Sequence, residues 1–400
     1  MKKILLLIII LLIPINVYAA EVPELYSQKY LVYDLTEDEV LVSKRSDEVS
    51  KIASITKIMT AIVAIENVNN LKEEIIITQE MLNGIPWDAA VLGLQVGHKV
   101  TVEDMLYAAL LPSAADATHV LAHYVAGGTK EYVRLMNDKA VMLGLTHTKY
   151  ENVIGMDHES HYSTADDVVK LLKYCLKNPE FKKIFTDKHH ILLNGMTANS
   201  TIHIMQNVIM RDTSRILGGK TGYTEDAGVC IAAYFKSNGH EMLVITLKAP
   251  YEKWKANHIT DALDLINFVD NNYGNQIIIE KGTPIATIDV KLSDIKKINV
   301  TASNNITKFL SNDYNKDLVS YEYEGATEIL YNFKKGDELG KISYYYDGKL
   351  VGNEFVTLNE TLSPDLKEIF DLYKTQLIVI GCAIIFGIIT VIVLLKKSLV

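Results

Sequence analysis

The sequence predicts a mixed α/β domain, a small all-β domain after it and a single C-terminal transmembrane helix. Three observations predict this. Up to about residue 274, segments with helical periodicity alternate with β-prone runs. Beyond Asn275 only short β-prone runs remain, separated by turn residues. Residues 377–395 carry no charge and are followed at once by Lys396-Lys397.

The elements follow in order. Met1-Lys2-Lys3 precedes an unbroken apolar run from Ile4 to Ile13, and Val17-Tyr18-Ala19-Ala20 closes the segment. A basic start, an apolar run too short for a span, and small residues before a polar chain predict a signal peptide over 1–20. Cleavage after Ala19 and after Ala20 both fit. Residues 30–35 and 40–43 predict a hairpin around Thr36-Glu37-Asp38-Glu39. Residues 52–65 predict a helix apolar on most sides, hence buried. The stretch 81–101 carries turn signals and no clear period. Residues 102–125 predict helix interrupted at Pro112, and 130–143 a second helix closed by Gly144. Residues 164–176 predict a third, capped by Ser163 and with Pro179 beyond its end. Residues 228–235 and 242–249 predict two apolar strands joined at Ser237-Asn238-Gly239, and 256–268 a last helix.

After Asn275, residues 276–279, 285–290, 298–301, 319–323, 342–346 and 355–358 predict a β-sandwich or barrel over 275–362. In 363–376, Leu366, Ile369, Phe370 and Tyr373 recur at helical spacing among charges, predicting an amphipathic juxtamembrane segment. About nineteen apolar residues at about 1.5 Å each match the hydrocarbon thickness, so 377–395 predicts the span. The lysines after it place the tail, 396–400, in the cytoplasm and the bulk of the chain outside the cell.

Composition narrows the function. The 400 residues carry 40 basic and 49 acidic side chains, a net charge of −9, which argues against nucleic acid as a partner. No Gly-rich phosphate-binding motif occurs. Cys382 falls in the span, leaving Cys175 and Cys230, between which a disulfide is possible but not required. His119 and His123 stand four apart, but without the Glu of a zinc-binding helix they predict surface or core histidines.

The chemistry lies in three short motifs. In Ser54-Ile55-Thr56-Lys57 the lysine is three residues past the serine, which brings both side chains to one helix face. A serine hydroxyl needs a base, and a lysine serves as one only with a lowered pKa, which burial and a second cation provide. Lys220, in Gly219-Lys220-Thr221-Gly222, is a candidate second cation and a candidate carboxylate ligand, with Thr221 as a hydroxyl donor. Gly222 leaves room for a ligand along the strand edge. Ser113 falls at the Pro112 interruption, where a loop would present its hydroxyl.

The order Ser-x-x-Lys, Ser-x-x, Lys-Thr-Gly is that of penicillin-binding proteins and β-lactamases. From Tyr30 to Leu362 the chain resembles the serine-type D-alanyl-D-alanine carboxypeptidases, the low-molecular-mass penicillin-binding proteins. Ala53-Ser54-Ile55-Thr56-Lys57-Ile58-Met59-Thr60-Ala61, Met136-Asn137-Asp138-Lys139-Ala140, Gly155-Met156-Asp157 and Lys220-Thr221-Gly222-Tyr223-Thr224 carry that resemblance, as does the β domain with Lys335-Gly336-Asp337.

The resemblance implies a penicillin-binding-protein/β-lactamase-like antiparallel sheet flanked by helices over 21–274. Ser54 would attack the carbonyl between the two terminal D-alanines of a peptidoglycan stem peptide, Lys57 would take its proton, and Ser113 would pass a proton to the leaving amine. Backbone N–H groups of Ser54 and Tyr223 would form the oxyanion hole. Lys220 and Thr221 would hold the terminal carboxylate. β-Lactams would be covalent inhibitors, and no metal or organic cofactor is implied.

The chain departs from that pattern at Ser113-Ala114-Ala115, where the family has Ser-x-Asn. Loss of the amide would slow acylation, shift substrate choice, or be offset by water or Asp116. A slow-turnover penicillin-binding sensor is therefore the alternative to an enzyme. A β-lactamase is disfavoured because Glu-x-x-Leu-Asn is absent from the sequence.

Overall fold

The computed structural model describes residues 21–397, so the expected signal peptide and the last three residues of the tail lie outside the described residues. The chain divides into two compact units between Tyr273 and Gly274.

The first unit opens with the hairpin β1 (Lys29–Asp34) and β2 (Glu39–Lys44). A 3₁₀ turn, Ala53–Thr56, then runs into α1 (Lys57–Asn67). The short elements β3 (Glu74–Ile76), α2 (Gln79–Leu82) and β4 (Lys99–Thr101) occupy the stretch without a clear period. Helices α3 (Val102–Leu110) and α4 (Ala115–Ala126) flank the Pro112 break. The chain continues through α5 (Thr129–Met142), α6 (Ala165–Cys175), α7 (Pro179–Thr186), β5 (His189–Ile191), β6 (Thr197–Asn199) and α8 (Thr201–Ile209). It ends with β7 (Ile216–Thr224), β8 (Gly228–Ser237), β9 (His240–Ala249) and α9 (Asn257–Asn272).

Two sequence expectations need correction. The buried helix begins as a 3₁₀ turn, so Ser54 precedes the α-helix proper. The cap of α6 is Thr164, whose hydroxyl accepts from Asp167 N, and not Ser163. Ser163 instead pairs its backbone with Ser50, which removes it from the helix end. Pro179 lies beyond the end of α6, as expected, and there starts α7, at the position where a missing N–H costs nothing.

The main sheet is antiparallel in the order β2-β1-β9-β8-β7. Both its faces are covered. On β9, Leu243, Ile245 and Leu247 join the large core built with α1, α3, α4 and α6, while Thr246 between them donates to the His258 carbonyl of α9. That double burial explains why β8 and β9 are nearly continuous apolar runs with little alternation. The expected antiparallel sheet flanked by helices is the architecture found. Cys175 and Cys230 are both buried free thiols.

The second unit holds β10 (Tyr273–Ile279), β11 (Pro284–Lys291), β12 (Lys297–Thr301), β13 (Ile306–Ser311), β14 (Val319–Gly325), β15 (Glu328–Leu330), β16 (Glu338–Tyr346) and β17 (Lys349–Thr357). They form small sheets, β12-β11-β15, β14-β16-β17 and β10-β13, and Ile288, Val300, Ile342 and Tyr344 belong to the unit's core. One helix, α10 (Leu366–Lys397), contains most of the amphipathic segment and the whole apolar run without interruption. Lys296 reaches its first turn, 2.9 Å from Asp365 and 2.6 Å from Glu368.

Candidate active site

The 3₁₀ turn that carries Ser54 is held from three sides. Ala53 adopts a left-handed backbone (φ +45°), uncommon for a residue with a side chain. Gly155 presses against it: a Cβ there would lie 1.9 Å from the Ala53 carbonyl oxygen, and its φ of +91° also requires glycine. The loop carrying Gly155 is fastened by Asn152, whose Oδ1 accepts from the N–H groups of Ile154, Gly155 and Met156. Beneath the turn the Cys230 thiol lies 3.3 Å from the Ile52 carbonyl oxygen.

Because a 3₁₀ helix eclipses positions i and i+3, Lys57 stands directly over Ser54. Its Nζ is 2.9 Å from Ser54 Oγ and donates to the Ile154 carbonyl at 2.8 Å. The Lys57 side chain is buried, and burial followed by the charge of Lys220 holds its amine well below the usual lysine range. Asp116 acts weakly the other way.

Lys220 on β7 is fully buried, donates to the Thr221 carbonyl at 2.9 Å, and is pulled down to about 7 by burial. The next residue faces the opposite way, and Thr221 Oγ1 meets Thr201 Oγ1 on α8 at 2.9 Å. Gly222 then lets the strand pass against the Ser54 turn.

A cleft of about 330 Å³ opens over these groups. Ser54, Lys57, Ser113, Thr221, Gly222 and Tyr223 all line it, so six of the sequence-predicted residues converge. Lys220, the seventh, lies under the cleft and not in its lining. Ser113 occupies a left-handed position (φ +69°) between α3 and α4, and among the described residues no hydrogen bond ties it to Ser54 or Lys57. Ala115, standing where the resemblance leads one to expect Asn, borders the cleft. Asp116 does not take that place: its carboxylate accepts from the N–H groups of Leu92, Gly93 and Leu94, which fixes the neighbouring loop.

Sequence reasoning missed the wall formed by Tyr251, Lys255 and His258. These lie beyond the last motif, Tyr251 and Lys255 before the predicted helix 256–268 and His258 within it, and no motif spacing singled them out. His258 is buried, Nδ1 has no partner among the described residues, and burial followed by the Lys220 charge drives its pKa down to about 3. It stays neutral at any ordinary pH. Among the described residues no cluster of three or more metal-ligating side chains occurs.

Chemically, this is a hydroxyl beside a buried amine whose pKa is held well below the usual lysine range, at the foot of a cleft. It is built for nucleophilic attack on a carbonyl.

The chain is similar to known proteins. The Peptidase S11 profile, described as D-alanyl-D-alanine carboxypeptidase, matches residues 16–251, and that of the penicillin-binding protein 5 C-terminal domain matches 273–364. The chain is 28% identical over 326 residues to the D-alanyl-D-alanine carboxypeptidase DacF of Bacillus subtilis, covering 81% of this chain and 82% of that one. It is 28% identical over 256 residues to a D-alanyl-D-alanine endopeptidase of Escherichia coli, covering 63% and 79%. The crystal structure of penicillin binding protein 5 from Haemophilus influenzae superposes with a TM-score of 0.62 at 22% identity, over 86% of this chain and 99% of that one.

Proposed function

Because this chain belongs to the D-alanyl-D-alanine carboxypeptidase family, Peptidase S11, we propose that its reaction runs through an acyl-enzyme on Ser54. The chain is a serine hydrolase that processes the stem peptides of the cell wall. The observation that carries the residue assignment is the 2.9 Å approach of the buried Lys57 amine to Ser54 Oγ.

With the amine neutral, the Ser54 hydroxyl donates to Lys57 Nζ, and the Ile154 carbonyl keeps the lone pair aimed by taking an amine hydrogen. Oγ attacks the carbonyl carbon between the two terminal D-alanines as its proton passes to Lys57. The oxyanion faces the N–H groups of Ser54 and Tyr223. Collapse breaks the C–N bond, and the departing D-alanine amine regains a proton from Lys57 by way of the Ser113 hydroxyl. Water then attacks the ester as its proton passes to Lys57, and Lys57 returns that proton to Ser54 Oγ as the C–O bond breaks. Thr221 holds the substrate carboxylate, and Lys220 beneath it sets the field. β-Lactams enter the same cleft and acylate the same oxygen.

The carboxypeptidase assignment is supported over an endopeptidase by the longer alignment with DacF and by the match of the second domain. The helix α10 is long and apolar enough to cross a membrane, which fits a membrane-associated enzyme. We assign the catalytic unit to the outer face and the short tail that begins with Lys396-Lys397 to the cytoplasm.

The test is D-alanine release from a pentapeptide by the full chain. Steady release, abolished by Ser54→Ala, supports the enzyme. Acylation without release would make the chain a sensor.

A further inference from the structure

Thr201, the first residue of α8, belongs to none of the three motifs, yet it joins the segments that carry two of them. Its N–H donates at 3.2 Å to the carbonyl of Leu111, which precedes Pro112 and Ser113. Its Oγ1 stands 2.9 Å from Thr221 Oγ1, on the residue after Lys220. Ser113, Thr201 and Thr221 all line the cleft. The start of α8 is also held from outside. Ser200 donates its N–H to the Lys188 carbonyl at 2.8 Å. Ile202, the buried residue of α8, rests on β7, where a Cβ on Gly219 would lie 2.7 Å from Ile202 Cδ1. Thr201 is thus a fixed point beside Thr221.

A hydroxyl has one hydrogen to give and two lone pairs with which to accept. The contact between the two threonines uses one of their two hydrogens, and among the described residues neither hydroxyl has another partner. One O–H is therefore left for a group in the cleft. Resting on the functional reading above, in which Thr221 holds the substrate's terminal carboxylate, we propose that Thr201 donates to Thr221 Oγ1 and so leaves the Thr221 hydrogen for that carboxylate. In the reverse arrangement Thr221 would turn lone pairs toward an anion that has only lone pairs of its own. A hydroxyl that is accepting a hydrogen bond is also the stronger donor. Thr201 is a positioning residue: it acts through Thr221, and its bond to Leu111 ties the carboxylate site to the loop that presents Ser113.

The experiment times acylation of the full-length chain in detergent micelles by a fluorescent penicillin, a ligand with a carboxylate of its own. Valine keeps the shape of threonine without the hydroxyl. Thr201→Val should slow acylation by about 2- to 12-fold, the effect of one hydrogen bond. Thr201→Ser, which keeps the hydroxyl, should recover most of that loss. In a chain already carrying Thr221→Val, adding Thr201→Val should have no further effect, because the group it orients is gone. The pH at which the rate rises should not move, since the Ser54–Lys57 pair is untouched. Losses that multiply in the double variant would make Thr201 a direct ligand or a separate support, and overturn the proposal. So would Thr201→Ser as slow as Thr201→Val, an unslowed Thr201→Val, or a displaced pH profile. Each of these results, with the unsubstituted chain acylated at Ser54, sinks this inference alone. An unsubstituted chain that is not acylated sinks the functional reading with it.

Discussion

Gly222 lies so close to Ser54 that a Cβ on the glycine would stand 2.8 Å from the Ser54 nitrogen. The same atom would be 2.9 Å from Ala53 Cβ and from Cys230 Sγ, so no side can yield without moving the turn or the strand. This contact sets the spacing between Ser54 and β7, the strand that carries the proposed second oxyanion N–H.

Gly222→Ala should therefore disturb geometry before it disturbs chemistry. A displacement approaching 1 Å costs about 100-fold in rate. Acylation by a fluorescent penicillin, timed by stopped flow, should fall by about that factor. A rate near that of the unsubstituted chain would show that the strand and the turn are positioned by something else.

The pH dependence of acylation follows from Lys57. Its amine is held low by burial and by Lys220, and only the deprotonated form can accept the Ser54 proton. The rate should rise with pH through the titration of the coupled lysine pair and then level off. Lys57→Arg keeps a cation that never deprotonates and should abolish acylation. Appreciable acylation by that variant would exclude Lys57 as the base.

Stability should respond to pH in the same direction. Lys220 titrates at about 7 when folded, whereas an unfolded lysine titrates at about 10.4. Between those values the unfolded chain binds more protons, so stability rises with pH across that window and loses this contribution as pH falls toward 7. Lys57 adds to the same slope. Thermal unfolding of Lys220→Met should show a shallower rise from pH 7 to 10 than the unsubstituted chain. Equal slopes would mean that Lys220 is not proton-poor in the fold.

How much of this was legible in the sequence depends on whether the signal was local. Ser54 and Lys57 are three residues apart, so any helical turn brings them together, and the apolar residues 58–65 announce the burial that lowers the lysine pKa. Lys220 and Gly222 sit on one strand with alternate residues pointing alike, which the motif also encodes. Asp116 could not be placed, because its partners at 92–94 lie in a stretch without periodicity. Lys255, in the loop before α9, and His258, in the first turn of α9, reach the cleft only through the packing of that segment, a tertiary fact with no motif to mark it. The β domain was visible as strands but not as sheets: β13 and β15 are short and unmarked, and β15 pairs in parallel with β11 across a long stretch of chain.

Position 115 offers a graded test of how this cleft differs from its relatives. Ala115 borders the cleft, and Asp116 is committed to the neighbouring loop. One restored hydrogen bond to substrate is worth about 0.5–1.5 kcal/mol, or roughly 2- to 12-fold. Ala115→Asn should raise the rate of acylation by a D-Ala-D-Ala peptide by about that factor. A fall would show a cleft reshaped around alanine.

The most direct measurement is the site of covalent labelling. The membrane-bound chain, treated with a fluorescent penicillin, digested and mapped by mass spectrometry, should carry the adduct on Ser54, and Ser54→Ala should carry none. An adduct that persists in Ser54→Ala, or that maps to any other residue, would contradict the assignment of the nucleophile.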